Sequence, residues 1–128
     1  MSRIAITSDR APRAIGPYSQ AVKAGDLVFC SGQIPIDPAT GELVAGGIEE
    51  QTARVIKNLT EVLSAAGASW SDVVKTTIYL TDLADFTIVN QVYGAAVGGV
   101  LPARATVQVA ALPKGAAVEI EAVAHLSR

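Results

Sequence analysis

Cysteine occurs once in the 128 residues, as Cys30, and histidine once, as His125. No disulfide can form within the chain, which fits a reducing compartment, so a cytoplasmic protein is expected. One Cys and one His cannot build a zinc site of the Cys/His type, and the acids are dispersed, with no calcium loop. A Ser-His-Asp triad would have to use His125, and a lone histidine on a terminal strand reads as structural. Cys30 lies in a strand candidate and reads as a buried, inert thiol. Aromatic residues make up 5% of the chain and charged ones 17%, and the ten Lys and Arg never form a run of three. With a net charge of −2 there is neither a basic stripe nor a stacking platform, which disfavours nucleic acid as a partner.

Other absences narrow the field further. No GxGxxG or GxxxxGK[ST] fingerprint occurs. Met1 to Gly16 holds three arginines and no apolar segment, so no signal peptide is expected. Phe86 to Ala103 is uncharged, but it contains Asn90, Gln91, Gly94, Gly98, Gly99 and Pro102, so no membrane span is expected there. Asn58-Leu59-Thr60 matches a glycosylation sequon inside a helical pattern and is read as idle.

What is present is apolar and small. Half the residues are hydrophobic, with 22 Ala and 15 Val among them, and mean hydropathy is +0.38. Disorder is excluded, because disordered chains are poor in hydrophobics and rich in charge. The length suits a single domain spanning residues 1–128. A domain of this size leaves much of its surface in water, so the apolar surplus goes to a partner, a pocket, a membrane or nothing.

The pattern predicts strands at Ile4–Thr7, Ala21–Ala24 and Leu27–Ser31, the last two flanking a Gly25-Asp26 turn. Turn chemistry fills Gln33–Gly47. Ile48, Thr52, Val55, Ile56, Leu59, Val62, Leu63 and Ala66 form one face of an amphipathic helix, with Glu49 and Glu50 at its start and Gly67 at its end. Val73–Leu80 reads as a strand. Asp82 or Asp85 starts a second helix that Gly98-Gly99 ends. Strands follow at Ala105–Ala110 and Ala117–Leu126, joined by Leu112-Pro113-Lys114-Gly115. In the last strand Val118, Ile120, Ala122 and Ala124 face one way and Glu119, Glu121, Val123 and His125 the other. One sheet layer and one helix layer make an α+β fold whose second sheet face is free for other copies of the chain.

Chemistry is concentrated in short strings: Ala14-Ile15-Gly16-Pro17-Tyr18-Ser19-Gln20, Ser31-Gly32-Gln33-Ile34-Pro35, Val89-Asn90 with Tyr93, Leu101-Pro102-Ala103-Arg104-Ala105-Thr106, and Leu112-Pro113-Lys114 followed by Glu119-Ile120-Glu121-Ala122. Arg104 interrupts an uncharged run from Phe86 to Pro113. A buried guanidinium needs an anionic partner. That partner is Glu119, Glu121, bulk solvent, or a small carboxylate held by the planar fork of the side chain.

Taken together and in order, IGPYSQAV, SGQIP, VVKTTIYLTDL, PARATVQVAALPKG and VEIEAVA resemble the RidA family of reactive intermediate deaminases from Ile15 to Ala124. The resemblance implies a chorismate-mutase-like fold: a mixed six-stranded sheet backed by two helices, three copies forming a homotrimer with sites in the clefts between them. It implies hydrolysis of 2-imino acids and their enamine tautomers to 2-oxo acids and ammonia, without cofactor or metal. The substrates are released by pyridoxal-phosphate-dependent threonine and serine dehydratases. By motif, Arg104 matches the carboxylate-binding arginine, Glu119 the acid that orients or activates water, and Tyr18, Ser31, Gly32 and Asn90 pocket positions. Thr106 stands where many relatives carry Cys, so a thiol is not required there. Arg104 would bind, Glu119 handle the proton, and Tyr18 shape the pocket, with Arg104 keeping Glu119 ionised. Glu121 is read as structural. Tyr18 could instead be interface packing and Asn90 a backbone clamp. The segment between Tyr93 and Arg104 is shorter than in familiar members, which bears on substrate range. An endoribonuclease or translation inhibitor, and a non-catalytic trimeric ligand-binding or chaperone-like protein, are the alternative readings.

Overall fold

The computed structural model describes residues 2–126. Among them the elements run β1 (Arg3–Ile6), β2 (Ala21–Ala24), β3 (Leu27–Gln33), β4 (Ile36–Asp37), β5 (Glu42–Leu43), α1 (Ile48–Ala65), β6 (Val73–Leu80), α2 (Phe86–Val97), β7 (Ala103–Gln108) and β8 (Val118–His125). The six-stranded sheet has the order β1-β2-β3-β8-β6-β7. Every pair in it is antiparallel except β6 with β7, so the sheet is mixed, as expected. β4 and β5 form a separate two-stranded ribbon inside the segment read as turns.

The helices cover one sheet face. Val55, Leu59, Val62 and Leu63 of α1 and Val89, Tyr93 and Val97 of α2 are buried with Val28, Ile78, Leu80, Val118, Ile120, Ala122 and Ala124 of the sheet. Each such Val or Leu stabilises the fold by about 1.5–3 kcal/mol through loss of apolar surface to water. α1 begins where the Glu50 carboxylate accepts a hydrogen bond from the Gly47 amide at 2.8 Å. It ends at Gly67, whose φ of +78° suits glycine. Both aspartates act at the second helix. Asp82 Oδ1 accepts from the Ala84 amide at 2.9 Å in a 3-10 turn, and Asp85 is the N-cap residue of α2.

One expectation is corrected. The strand placed at Ala105–Ala110 runs Ala103–Gln108, because parallel pairing with β6 begins at Lys75 with Ala103 and carries Arg104 into the sheet. Leu112–Gly115 leads from β7 to β8, but the two strands are not neighbours. A parallel pair needs a crossover, which α2 supplies, and β8 then enters between β3 and β6. The sequon residue Asn58 is fully buried, its amide donating to the Ile34 and Ile36 carbonyls at 3.3 and 3.0 Å. It is a bracket between α1 and the β4 region. No helix among the described residues is long and apolar enough to cross a membrane. The Phe86–Ala103 stretch is instead split into α2, a short loop and the first residue of β7.

Among the described residues no helix lies over the other sheet face. Leu27, Phe29 and Val107 are exposed there, with Tyr79, Glu119 and Glu121 between them in the register.

Candidate functional site

The residues singled out by sequence fall into two groups. Tyr18, Ser31, Gly32 and Glu119 line one cavity of about 340 Å³, together with Arg13, Ile15 and Pro113. The buried Gln20 amide donates to the Pro12 carbonyl at 2.7 Å and to the Ser8 carbonyl at 3.1 Å, while its oxygen accepts from the Ser8 amide at 2.6 Å. This ties the Ser8–Pro12 loop over the start of β2. Tyr18 closes a tight turn, its amide donating to the Gly16 carbonyl at 2.8 Å and its Oη accepting from the Ile15 amide at 3.3 Å. Ser31 is held twice, its amide by the Gln20 carbonyl at 2.9 Å and its Oγ by the Ser19 carbonyl at 2.7 Å.

β3 bulges between Cys30 and Gln33 where it pairs with β8. Bulges bend a strand and re-aim its side chains. Here the bulge lets the Glu119 carboxylate lie against Gly32. A Cβ at position 32 would fall on that carboxyl group, 2.8 Å from its Cδ and closer still to Oε2. Glycine here leaves room for the Glu119 side chain, whose carboxyl end an added Cβ would displace. Burial, and then the neighbouring Glu121 carboxylate, raise the Glu119 pKa above the usual carboxylate range. Glu121 is itself engaged by the Tyr79 hydroxyl, which donates to it at 2.7 Å, in keeping with a structural role.

The second group lies at the β7 edge. Arg104 Nη1 donates to Asn90 Oδ1 at 2.8 Å. Its guanidinium carbon sits 5.2 Å from the centroid of Tyr93 and 5.5 Å from that of Phe86. Both distances allow attraction between the cation and the ring faces. Tyr93 is buried and shares a 2.7 Å hydrogen bond with the Thr76 hydroxyl, which fixes its ring. Among the described residues no carboxylate pairs with Arg104. The expected ion pair with Glu119 or Glu121 is therefore absent, and Asn90 is the polar partner. A cavity of about 310 Å³ opens beside the guanidinium, lined by Asn90, Tyr93, Gly94, Val97, Leu101 and Pro102. Thr106 follows on the same strand, and its Oγ1 is buried without a hydrogen-bond partner.

The two groups are on opposite faces. Arg104 is in register with Thr76, which is buried under the helices, whereas Glu119 is in register with Tyr79. Thr76 and Tyr79 are an odd number of residues apart on β6, so the pleat turns their partners to opposite sides. Arg104 of one copy thus cannot hold Glu119 of that copy in its ionised form. Within the chain the influences on Glu119 both raise its pKa. Cys30 faces the core, and burial raises its thiol to about 11, as suits an inert residue. His125 is exposed at the end of β8.

Tyr93, singled out with Asn90 in the sequence, flanks Arg104 together with Phe86, which the sequence marked only as a helix residue. Gln20, which organises the loop under Tyr18, left a trace only as the last residue of the Ala14–Gln20 string.

A family model described as Endoribonuclease L-PSP matches residues 8–126. Protein DfrA of Myxococcus xanthus is 60% identical over 126 residues, covering 97% of this chain and 96% of its own length. A mouse protein named 2-iminobutanoate/2-iminopropanoate deaminase is 52% identical, covering 95% of this chain and 90% of its own. The crystal structure of E. coli TdcF with bound serine is 44% identical, with a TM-score of 0.92 over 97% of this chain and 99% of that one.

Proposed function

The chain belongs to the RidA family, and from that premise we propose that it hydrolyses 2-imino acids and their enamine tautomers to 2-oxo acids and ammonia. The observation that carries the reading is the presented guanidinium of Arg104, without a carboxylate partner among the described residues and steadied by Asn90 and two aromatic rings. Such a fork suits a small carboxylate. A relative named as an iminobutanoate and iminopropanoate deaminase, and another crystallised with serine, point to the same ligand class.

Because Arg104 and Glu119 occupy opposite faces, the site is proposed to form between copies, Arg104 from one and the Glu119 cavity from the next. A homotrimer would complete three such sites and cover Leu27, Phe29 and Val107 on the bare sheet face. The substrate carboxylate binds Arg104, which orients the imine carbon. Water attacks that carbon and gives a proton to Glu119, and the C=N electron pair moves to nitrogen, which takes that proton back from Glu119. The hydroxyl proton of the resulting carbinolamine then passes through Glu119 to the amino nitrogen, the C–N pair leaves with it as ammonia, and the C=O bond of the 2-oxo acid forms. Burial and the neighbouring Glu121 raise the Glu119 pKa from its ordinary value, the direction that suits a carboxylate passing a proton on. Tyr18 walls the cavity, and the Ser31 and Gly32 backbone lines it. Dehydratases that release enamines from threonine and serine, acting in the same cytoplasm, are the proposed source of substrate.

The test mixes the protein with threonine and a threonine dehydratase and follows the imine as its semicarbazone. The expected result is less semicarbazone with the wild-type chain than with Arg104→Ala. Equal trapping with and without the wild-type protein contradicts the reading. The family description also names an endoribonuclease. RNA cleavage by a nuclease-free preparation, lost with Arg104→Ala, would favour that activity instead.

A further inference from the structure

Gly94 lies one turn before the end of α2, on the helix face it shares with Asn90, Tyr93 and Val97. A glycine inside a helix is destabilising relative to alanine. Its usual justifications are missing here. The backbone is not in the positive-φ region, and an added Cβ would meet nothing within 4 Å. What the missing side chain does is keep the cavity beside Arg104 open. That cavity has a polar end, formed by Arg104 and Asn90, and an apolar wall of Tyr93, Val97, Leu101 and Pro102. At about 310 Å³ it stands at the lower end of the range for small-ligand sites. A methyl or ethyl group would leave most of that wall without contact, and lost contact is lost attraction.

We infer that Gly94 sets the substrate range of this site, admitting 2-imino acids with branched aliphatic or aromatic side chains in preference to the methyl and ethyl compounds. The carboxylate anchors on Arg104 and the side chain passes Gly94 to lie on Val97 and Leu101. This rests on the carboxylate-binding role proposed for Arg104.

The experiment uses an L-amino-acid oxidase to generate imines from leucine, phenylalanine and 2-aminobutyrate, again with semicarbazide as the competing trap. The readout is the ratio of kcat/KM for the leucine-derived to the 2-aminobutyrate-derived imine. The wild-type ratio should exceed one. It should fall about tenfold or more in Gly94→Leu, in line with the discrimination that one or two methylenes give in an apolar pocket. Gly94→Ala should keep most of it, and Leu101→Trp, which narrows the opposite wall, should lower it as Gly94→Leu does. A ratio below one in the wild type, or one unmoved by Gly94→Leu and Leu101→Trp, overturns the inference. So does dissociation of the oligomer in Gly94→Leu, which would show that a second copy occupies the space. Calorimetry with 4-methyl-2-oxopentanoate and 2-oxobutanoate needs no turnover. A Gly94-dependent preference there without imine hydrolysis would sink the deaminase and keep this subsite. Hydrolysis with no such preference in either assay would do the reverse.

Discussion

The Glu119 cavity is shaped largely by the backbone: a strand bulge, a glycine that admits a carboxylate, and a loop fastened by the buried Gln20 side-chain amide. The Arg104 edge is assembled from side chains, one amide and two rings around a cation on the last strand of the sheet. Backbone geometry places a group closely and adapts poorly to change. Side-chain geometry is softer and can be retuned one residue at a time. The proton-handling half of the proposed site is therefore the rigid one, and the substrate-holding half is where range can vary.

Breaking the rigid half should have the largest effect. Glu119→Gln is expected to lower kcat by about 10²–10⁴-fold, the usual contribution of a positioned acid–base group. A fall below threefold in steady-state kinetics would remove Glu119 from the chemistry. The same change should raise Tm at neutral pH. Burial and Glu121 raise the folded-state pKa of Glu119 above its unfolded value. The folded chain then holds the proton more tightly, and stability is lost as pH rises through that window. The neutral amide removes this penalty, and a lowered Tm at neutral pH would contradict it.

Gly32→Ala should come next. The new Cβ displaces the flexible end of Glu119 rather than backbone, so activity should fall by about 10²-fold while Tm changes little. A large loss of Tm with activity retained per folded molecule would show that Gly32 serves only the fold. In the soft half, Asn90→Ala leaves the guanidinium on its two rings but removes its polar tether. KM should rise about tenfold, the worth of a charge-assisted hydrogen bond, with kcat less affected. The smallest effect expected is a shift. Glu121→Gln removes the second cause that raises the Glu119 pKa, so the acid limb of the kcat/KM profile should move to lower pH. A shift to higher pH would contradict that electrostatic assignment.

The two halves also differ in how far the sequence disclosed them. Arg104 stood out as a charge in an uncharged run, and the alternation along β8 correctly turned Glu119 away from Val118 and Ile120. That alternation fixes a side chain within its own strand and leaves the order of strands open. β7 and β8 both pair with β6, Arg104 opposite Thr76 and Glu119 opposite Tyr79, and this register is what sends the two side chains to opposite faces and removes the ion pair that was one of the partners open to Arg104. The strand at Ala103–Gln108 was misplaced by two residues for a related reason, since parallel pairing with β6 sets its start and propensity does not. Phe86 was legible as a helix residue, but its place beside Arg104 depends on how α2 docks. The bulge that gives Gly32 its purpose has no signature in one strand, because a bulge is a property of a pair.

Most direct is a mixing experiment between the two halves. Arg104→Ala and Glu119→Gln chains, each inactive alone, are unfolded together in equal amounts and refolded. If each site takes Arg104 from one copy and Glu119 from the next, about a quarter of the sites receive both intact residues, and about a quarter of wild-type activity should return. No recovery in well-folded mixed oligomers would mean that the two residues act from the same copy, or not together at all.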